Sequence, residues 1–181
     1  MSLLRNLHYL RLSLVSCDQV HAMFKLLGQN KLLSLNMVTC PQFTGEEDMS
    51  DLKANLEHLE TICIDSCTDL TNKGFVQLLS IAGSRLKRLH LSRSKLNDLL
   101  VAELVPSQYV LQVLQLSHCP QLSNKGLLGL LNTLGRNLVN LDLSNTKISG
   151  EGFVESGIKL ESLQILKLGC CSSVTDQGLS E

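Results

Sequence analysis

The sequence predicts an α/β fold made of about seven strand–turn–helix units in a row: a right-handed horseshoe segment with a parallel sheet on its concave side and helices on its convex side. Three observations predict it. Apolar residues make up 44% of the 181, yet aromatics are only 3% and Trp is absent, so leucine must build the core in many small, similar layers. An apolar frame recurs seven times at steps of 25 or 27 residues. Behind each frame an apolar residue is followed by a small polar one, where a helix needs its N-cap.

The strand of each unit comes from the frame. With Leu111 as position i, Leu114 is i+3, Leu116 is i+5 and Cys119 is i+8. The same spacing holds Leu32, Leu35, Met37, Cys40; Leu59, Ile62, Ile64, Cys67; and Leu163, Leu166, Leu168, Cys171. Three further frames keep the apolar triplet and change the last member: Leu7, Leu10, Leu12, Val15; Leu86, Leu89, Leu91, Ser94; Leu138, Leu141, Leu143, Thr146. Side chains alternate along a strand, so i+3 and i+5 are expected in the core, and i+2, i+4 and i+6 on the opposite face.

The exit from the strand is expected to depend on i+8. Each complete unit with Cys there is 27 residues long, and each without it is 25. Pro41 and Pro120 directly follow two of these cysteines, as an irregular turn favours. A thiol is a small hydrophobe with a weak S–H donor. Cys40, Cys67, Cys119 and Cys171 are therefore expected to be buried where the chain leaves the strand, with Ser94 and Thr146 using a hydroxyl in the same place.

The helix comes last. Phe43-Thr44, Leu70-Thr71, Leu96-Asn97, Leu122-Ser123, Ile148-Ser149 and Val174-Thr175 each place a cap residue behind an apolar one, and Cys17-Asp18 takes this place in the first unit. Helical spacing follows in Phe75, Val76, Leu78, Leu79 and in Leu127, Leu128, Leu130, Leu131. Gly74, Gly126, Gly152 and Gly178 stand three residues after the caps and are expected to permit close packing in the first turn.

One unit cannot hide its leucines alone, so the seven, starting at 7, 32, 59, 86, 111, 138 and 163, are expected to stack as a single domain over 1–181, the last unit truncated. Strands sit about 4.8 Å apart and helices are about 10 Å wide, so the stack must curve with its strands inside. The frame and capped helix, met in full at 59–79 and 111–131, resemble the cysteine-containing subfamily of leucine-rich repeat proteins. That resemblance covers nearly the whole chain. It implies a substrate-recognition role of the kind played by the repeat half of F-box receptors, which bring targets to cullin-type ubiquitin ligases. No segment resembling an F-box precedes Leu7, so the resemblance extends to the receptor half and not to adaptor docking.

The expected function is a non-enzymatic protein-interaction scaffold whose partner, a protein or peptide, lands on the concave face. Its ladder holds Tyr9, Arg11, Asn36, Asp65, Arg88, His90, Gln115, Asp142 and Lys167, with Arg93 and His118 in the adjoining loops. Arg88, His90 and Arg93 cluster, and Arg can grip an anion with two parallel bonds, so an acidic or phosphorylated peptide fits this surface. An extracellular recognition receptor of the innate-immune type is the alternative; the odd count of seven cysteines, the absence of Cys-x-x-Cys and the thiols expected in the core point instead to a cytoplasmic or nuclear protein. A thiol enzyme is the remote alternative, because Cys63, His90 and Asp65 fall on adjacent strands, although a flat open sheet excludes no water.

Other classes find no support in the sequence. Net charge is −1, no basic stripe is present, and Tyr9 and Tyr109 form no stacking platform, so nucleic acid is not expected. No apolar run approaches the roughly 20 residues of a membrane span. His58, Cys63 and Cys67 match no zinc spacing, and neither metal nor cofactor is expected. The start, MSLLRNLHYLRLS, is expected to be structure rather than a signal peptide. The chain begins almost on a strand and stops at Ser180-Glu181 inside the seventh helix. It is therefore expected to be a segment of a longer protein, with self-association through uncapped ends as the other possibility.

Overall fold

The computed structural model describes residues 6–27, 30–46, 56–99 and 110–179. Seven strands form one sheet: β1 (Tyr9–Ser13), β2 (Ser34–Val38), β3 (Thr61–Asp65), β4 (Arg88–His90), β5 (Val113–Gln115), β6 (Asn140–Asp142) and β7 (Ile165–Lys167). They lie in sequence order and every pair is parallel. The register follows the sequence frame. Arg11, Asn36, Cys63, His90, Gln115, Asp142 and Lys167, all at i+4, form one continuous row of Cα partners.

Among the described residues four α-helices connect the strands: α1 (Cys17–Leu27), α2 (Asn72–Ala82), α3 (Asn124–Leu134) and α4 (Glu151–Ser156). Each of the first three buries a single stripe: Val20, Phe24 and Leu27 on α1; Phe75, Leu78, Leu79 and Ala82 on α2; Leu127, Leu130, Leu131 and Leu134 on α3. That spacing of three and four is the one face of a helix that can meet a sheet. Val76 and Leu128, expected in the same stripes, sit beside them and are half-buried. Helix and strand side chains share one core. The helices expected behind Thr44 and Asn97 fall largely in 47–55 and 100–109, which with Tyr109, Ser180 and Glu181 lie outside the described residues.

Two caps differ from the sequence expectation. The first helix is capped by Ser16, not Asp18: Ser16 Oγ accepts from the Gln19 amide at 3.4 Å, and Gln19 Oε1 accepts from the Ser16 amide at 2.9 Å. This reciprocal pair satisfies two free donors at once, which a lone Asp18 cannot. Ahead of α4 the cap is Gly150, at φ 100°, and Ser149 Oγ instead accepts from Asn124 Nδ2 at 2.6 Å. Thr71 and Ser123 cap α2 and α3, accepting from the Gly74 amide at 3.0 Å and the Lys125 amide at 3.3 Å. Close packing shows at Gly74, where an added Cβ would collide with the Thr44 carbonyl and the Gly45 backbone.

Candidate functional site

The sheet has a closed face and an open one. At i+3 and i+5, from Leu10 to Leu143, exposure never exceeds 7%. The i+8 residues join this closed face. Cys40, Cys67, Cys119 and Cys171 are buried, as are Ser94 and Thr146. Their polar atoms turn to carbonyls that the strands leave over. Cys119 Sγ donates to the Leu91 carbonyl at 3.2 Å and Cys171 Sγ to the Leu143 carbonyl at 3.1 Å, each in the preceding frame. Ser94 Oγ and Thr146 Oγ1 reach the same two carbonyls at 3.3 and 2.6 Å. Burial raises the Cys119 thiol above its ordinary pKa, and it raises Cys67 as well, so both remain protonated donors.

How the chain swings i+8 into the core is a feature the sequence did not disclose. Leu14, Thr39, Ser66, Arg93, His118, Asn145 and Cys170, the i+7 residue of all seven frames, have φ between 49 and 59°. A left-handed residue bends the strand end so that the next side chain points inward, at a cost of about 1–2 kcal/mol for a non-glycine. The bend also keeps the ladder going: the Arg93 amide donates to the Ser117 carbonyl at 3.0 Å and the His118 amide to the Ser144 carbonyl at 2.9 Å. Asn145 and His118 are residue types enriched in this conformation, but Leu14, Thr39, Ser66, Arg93 and Cys170 are not, so residue type gave no consistent signal; the constant frame offset was the available one.

The open face carries the residues at i+2, i+4 and i+6. Tyr9, Arg11, Arg88 and Lys167 are exposed, and Asn36, Asp65, His90, Gln115 and Asp142 are half-buried among their neighbours. Arg93 and His118 are exposed at the rim. The expected basic cluster is only partly formed. Arg93 Nη1 lies 3.6 Å from Asp65 Oδ1, so that guanidinium is compensated. Lys167 Nζ lies 3.8 Å from Asp142 Oδ2. Arg11 and Arg88 have no carboxylate within ion-pair distance among the described residues. Asn36 Oδ1, His90 Nε2 and Asn140 Oδ1 are buried and make no hydrogen bond. Such a group costs about 1–3 kcal/mol when left unpaired.

The strand register places Cys63 beside His90, but the chemistry runs against a thiolate. Burial first, then the Asp65 charge, raises the Cys63 thiol, with Arg11 opposing. Burial and the Arg88 charge lower His90 below its ordinary 6.5, which keeps it neutral at pH 7. Among the described residues no group of three or more His, Cys, Asp or Glu side chains is placed to hold a metal ion. All seven cysteines are free, and adjacent Cys170 and Cys171 part ways, one exposed and one in the core.

A second polar region runs along the helix N-termini. Asp98 carboxylate oxygens accept from the Ser123 amide at 2.8 Å and its hydroxyl at 2.5 Å; Asn124 Oδ1 accepts from the Ser149 amide at 3.0 Å. These bonds tie one unit's cap to the next. Asn follows the cap residue in both Asn72-Lys73-Gly74 and Asn124-Lys125-Gly126, and that recurrence was the available sequence sign of this lateral role. An open cleft of about 680 Å³ lies at the N-terminus of α2, lined by Thr44, Asp69, Thr71, Lys73 and Lys95 among others, and its charges are matched: Lys73 with Glu46 at 3.4 Å and Lys95 with Asp69 at 3.9 Å. No helix among the described residues is long and apolar enough to cross a membrane. No family model matches this chain.

Proposed function

We propose that the chain is a leucine-rich repeat solenoid that acts as a protein-interaction scaffold, non-enzymatic and intracellular, with the open face of the sheet as its concave docking surface. The observation that carries this reading is the pattern of unmet polar groups. Asn36 Oδ1, His90 Nε2 and Asn140 Oδ1 are buried and unpartnered on β2, β4 and β6 of one face. Once these side chains turn outward, a partner's N–H groups would satisfy them. The in-order parallel strands, with a left-handed residue at the same offset in every frame, support the solenoid. Seven free thiols, four in the core, support a reducing compartment. The raised Cys63 thiol supports a binding role over a catalytic one. A substrate-receptor role in ubiquitin transfer follows from the resemblance of the frame alone.

The test is an affinity capture with three baits: wild type, Asn36→Arg plus Asn140→Arg on the open face, and Ser80→Arg on the exposed side of α2. Proteins held by wild type and by Ser80→Arg but released by the double variant are the expected result. Equal retention by all three overturns the assignment of the open face.

A further inference from the structure

The charges of the open face do not match those of the chain. The whole protein has net charge −1. Across the i+2, i+4, i+6 and i+7 positions the charged residues are Arg11, Arg88, Arg93 and Lys167 against Asp65 and Asp142. Four cations against two carboxylates leave two positive charges. Both carboxylates are engaged, by Arg93 and Lys167, so the surplus resides on Arg11 and Arg88. These two stand three strands apart, on β1 and β4. At about 4.8 Å per strand, with a shift of two positions along the strand, their Cα atoms are roughly 16 Å apart. Between them lies Asn36, in register with Arg11 and carrying an unpartnered buried oxygen.

We propose that the open face docks an extended acidic segment of a protein partner, two of whose carboxylates, four to six residues apart, pair with Arg11 and Arg88. An extended chain advances about 3.3 Å per residue, which sets that spacing. Each station offers one free guanidinium, and the neighbour of Arg88 is a neutral imidazole. One planar fork matches one carboxylate, whereas phosphate-reading sites gather several arginines around a dianion. The occupant is therefore a segment rich in Asp or Glu. This inference rests on the docking role proposed above for the same face.

The experiment selects binders from a phage-displayed library of random linear peptides with the wild-type chain as bait. The selected peptides are then measured as synthetic peptides against Arg11→Gln, Arg88→Gln and Arg88→Glu, each checked by thermal melt. Expected sequences carry paired acidic positions four to six residues apart. Changing either acid to its amide, or Arg88→Gln, weakens binding about tenfold; with the acid that pairs Arg88 the two changes together weaken it no further, whereas with the acid that pairs Arg11 the two losses multiply. Peptides without acid pairs that still lose binding to Asn36→Arg plus Asn140→Arg overturn the acidic segment and leave the docking face standing. Peptides indifferent to every open-face variant overturn both. Failure to recover any binder, or a phosphoserine in place of Glu that binds more than tenfold tighter through Arg88, also overturns the proposal.

Discussion

Leu114 and Gln115 are consecutive residues of one strand, and their surroundings have little in common. Leu114 is 2% exposed in a core shared by helices and sheet, with Leu89 and Leu141 as its register partners. Gln115 lies between His90 and Asp142, neighbours of quite different chemistry. Packing dictates the first face, where each leucine fits only because the frame before and after supplies the same shape. Nothing in the fold dictates the second, so that face is free to carry recognition. Polar groups follow the same division. On the closed face thiols and hydroxyls find strand carbonyls, whereas on the open face Asn36, His90 and Asn140 keep atoms with no partner.

The contrast breaks first under truncation. Leu114→Ala should lower unfolding free energy by about 2–5 kcal/mol, while Gln115→Ala stays within about 0.5 kcal/mol, both read by chemical denaturation. Leu166 occupies the same frame position on β7, the last described strand with β6 as its only neighbour, and is 39% exposed. Leu166→Ala should therefore cost clearly less than Leu114→Ala. Equal costs at the two leucines would mean that stacking is not what buries them.

A smaller effect isolates the thiol. Cys119 donates to the Leu91 carbonyl and lies 3.3 Å from Ser94 Oγ. Cys119→Ala should cost about 1–2 kcal/mol, and Cys119→Ser should recover part of it. An alanine variant as stable as wild type would reduce the thiol to filler.

The smallest effects appear on changing pH. Burial holds the Cys67 thiol above its ordinary 9.0 in the folded chain. The unfolded chain therefore releases that proton first, and stability is constant below pH 9 and falls as pH rises past it. The Cys119 and Cys63 thiols are raised too, so Cys67→Ala should shrink that limb without abolishing it. His90 shifts the other way, lowered by burial and by Arg88. The unfolded chain binds its proton more readily, so stability is constant above about pH 6.5 and falls as pH drops below it. His90→Gln should remove that limb, and a thermal melt series across pH reads both.

The closed face was legible in the sequence because it is a spacing problem. Leucine at i+3 and i+5 and the small residue at i+8 have one physical reason each, and the strand register follows the frame. Caps were legible where one side chain meets one amide, as at Thr71 and Ser123. They were missed where capping is reciprocal, at Ser16 with Gln19, or where a neighbouring unit claims the hydroxyl, at Ser149. The left-handed i+7 residue was hidden because Leu14, Thr39 and Arg93 adopt it under tertiary constraint, against their own preference. On the open face the sequence overcounted the free cations. Arg93 has a long side chain at a bent position, and only coordinates show that it reaches back to Asp65.

The division into two faces is tested most directly by the two cysteines of one frame, Cys63 on the open face and Cys67 in the core, 1% exposed. Native protein is treated with iodoacetamide at pH 8 and the labelled peptides are followed by mass spectrometry. The account predicts alkylation at Cys63, more slowly than in an unfolded reference peptide, and at Cys67 only as fast as the whole chain unfolds. Equal rates at the two positions would contradict the partition, and a Cys63 rate far above the reference peptide would return the thiol enzyme to consideration.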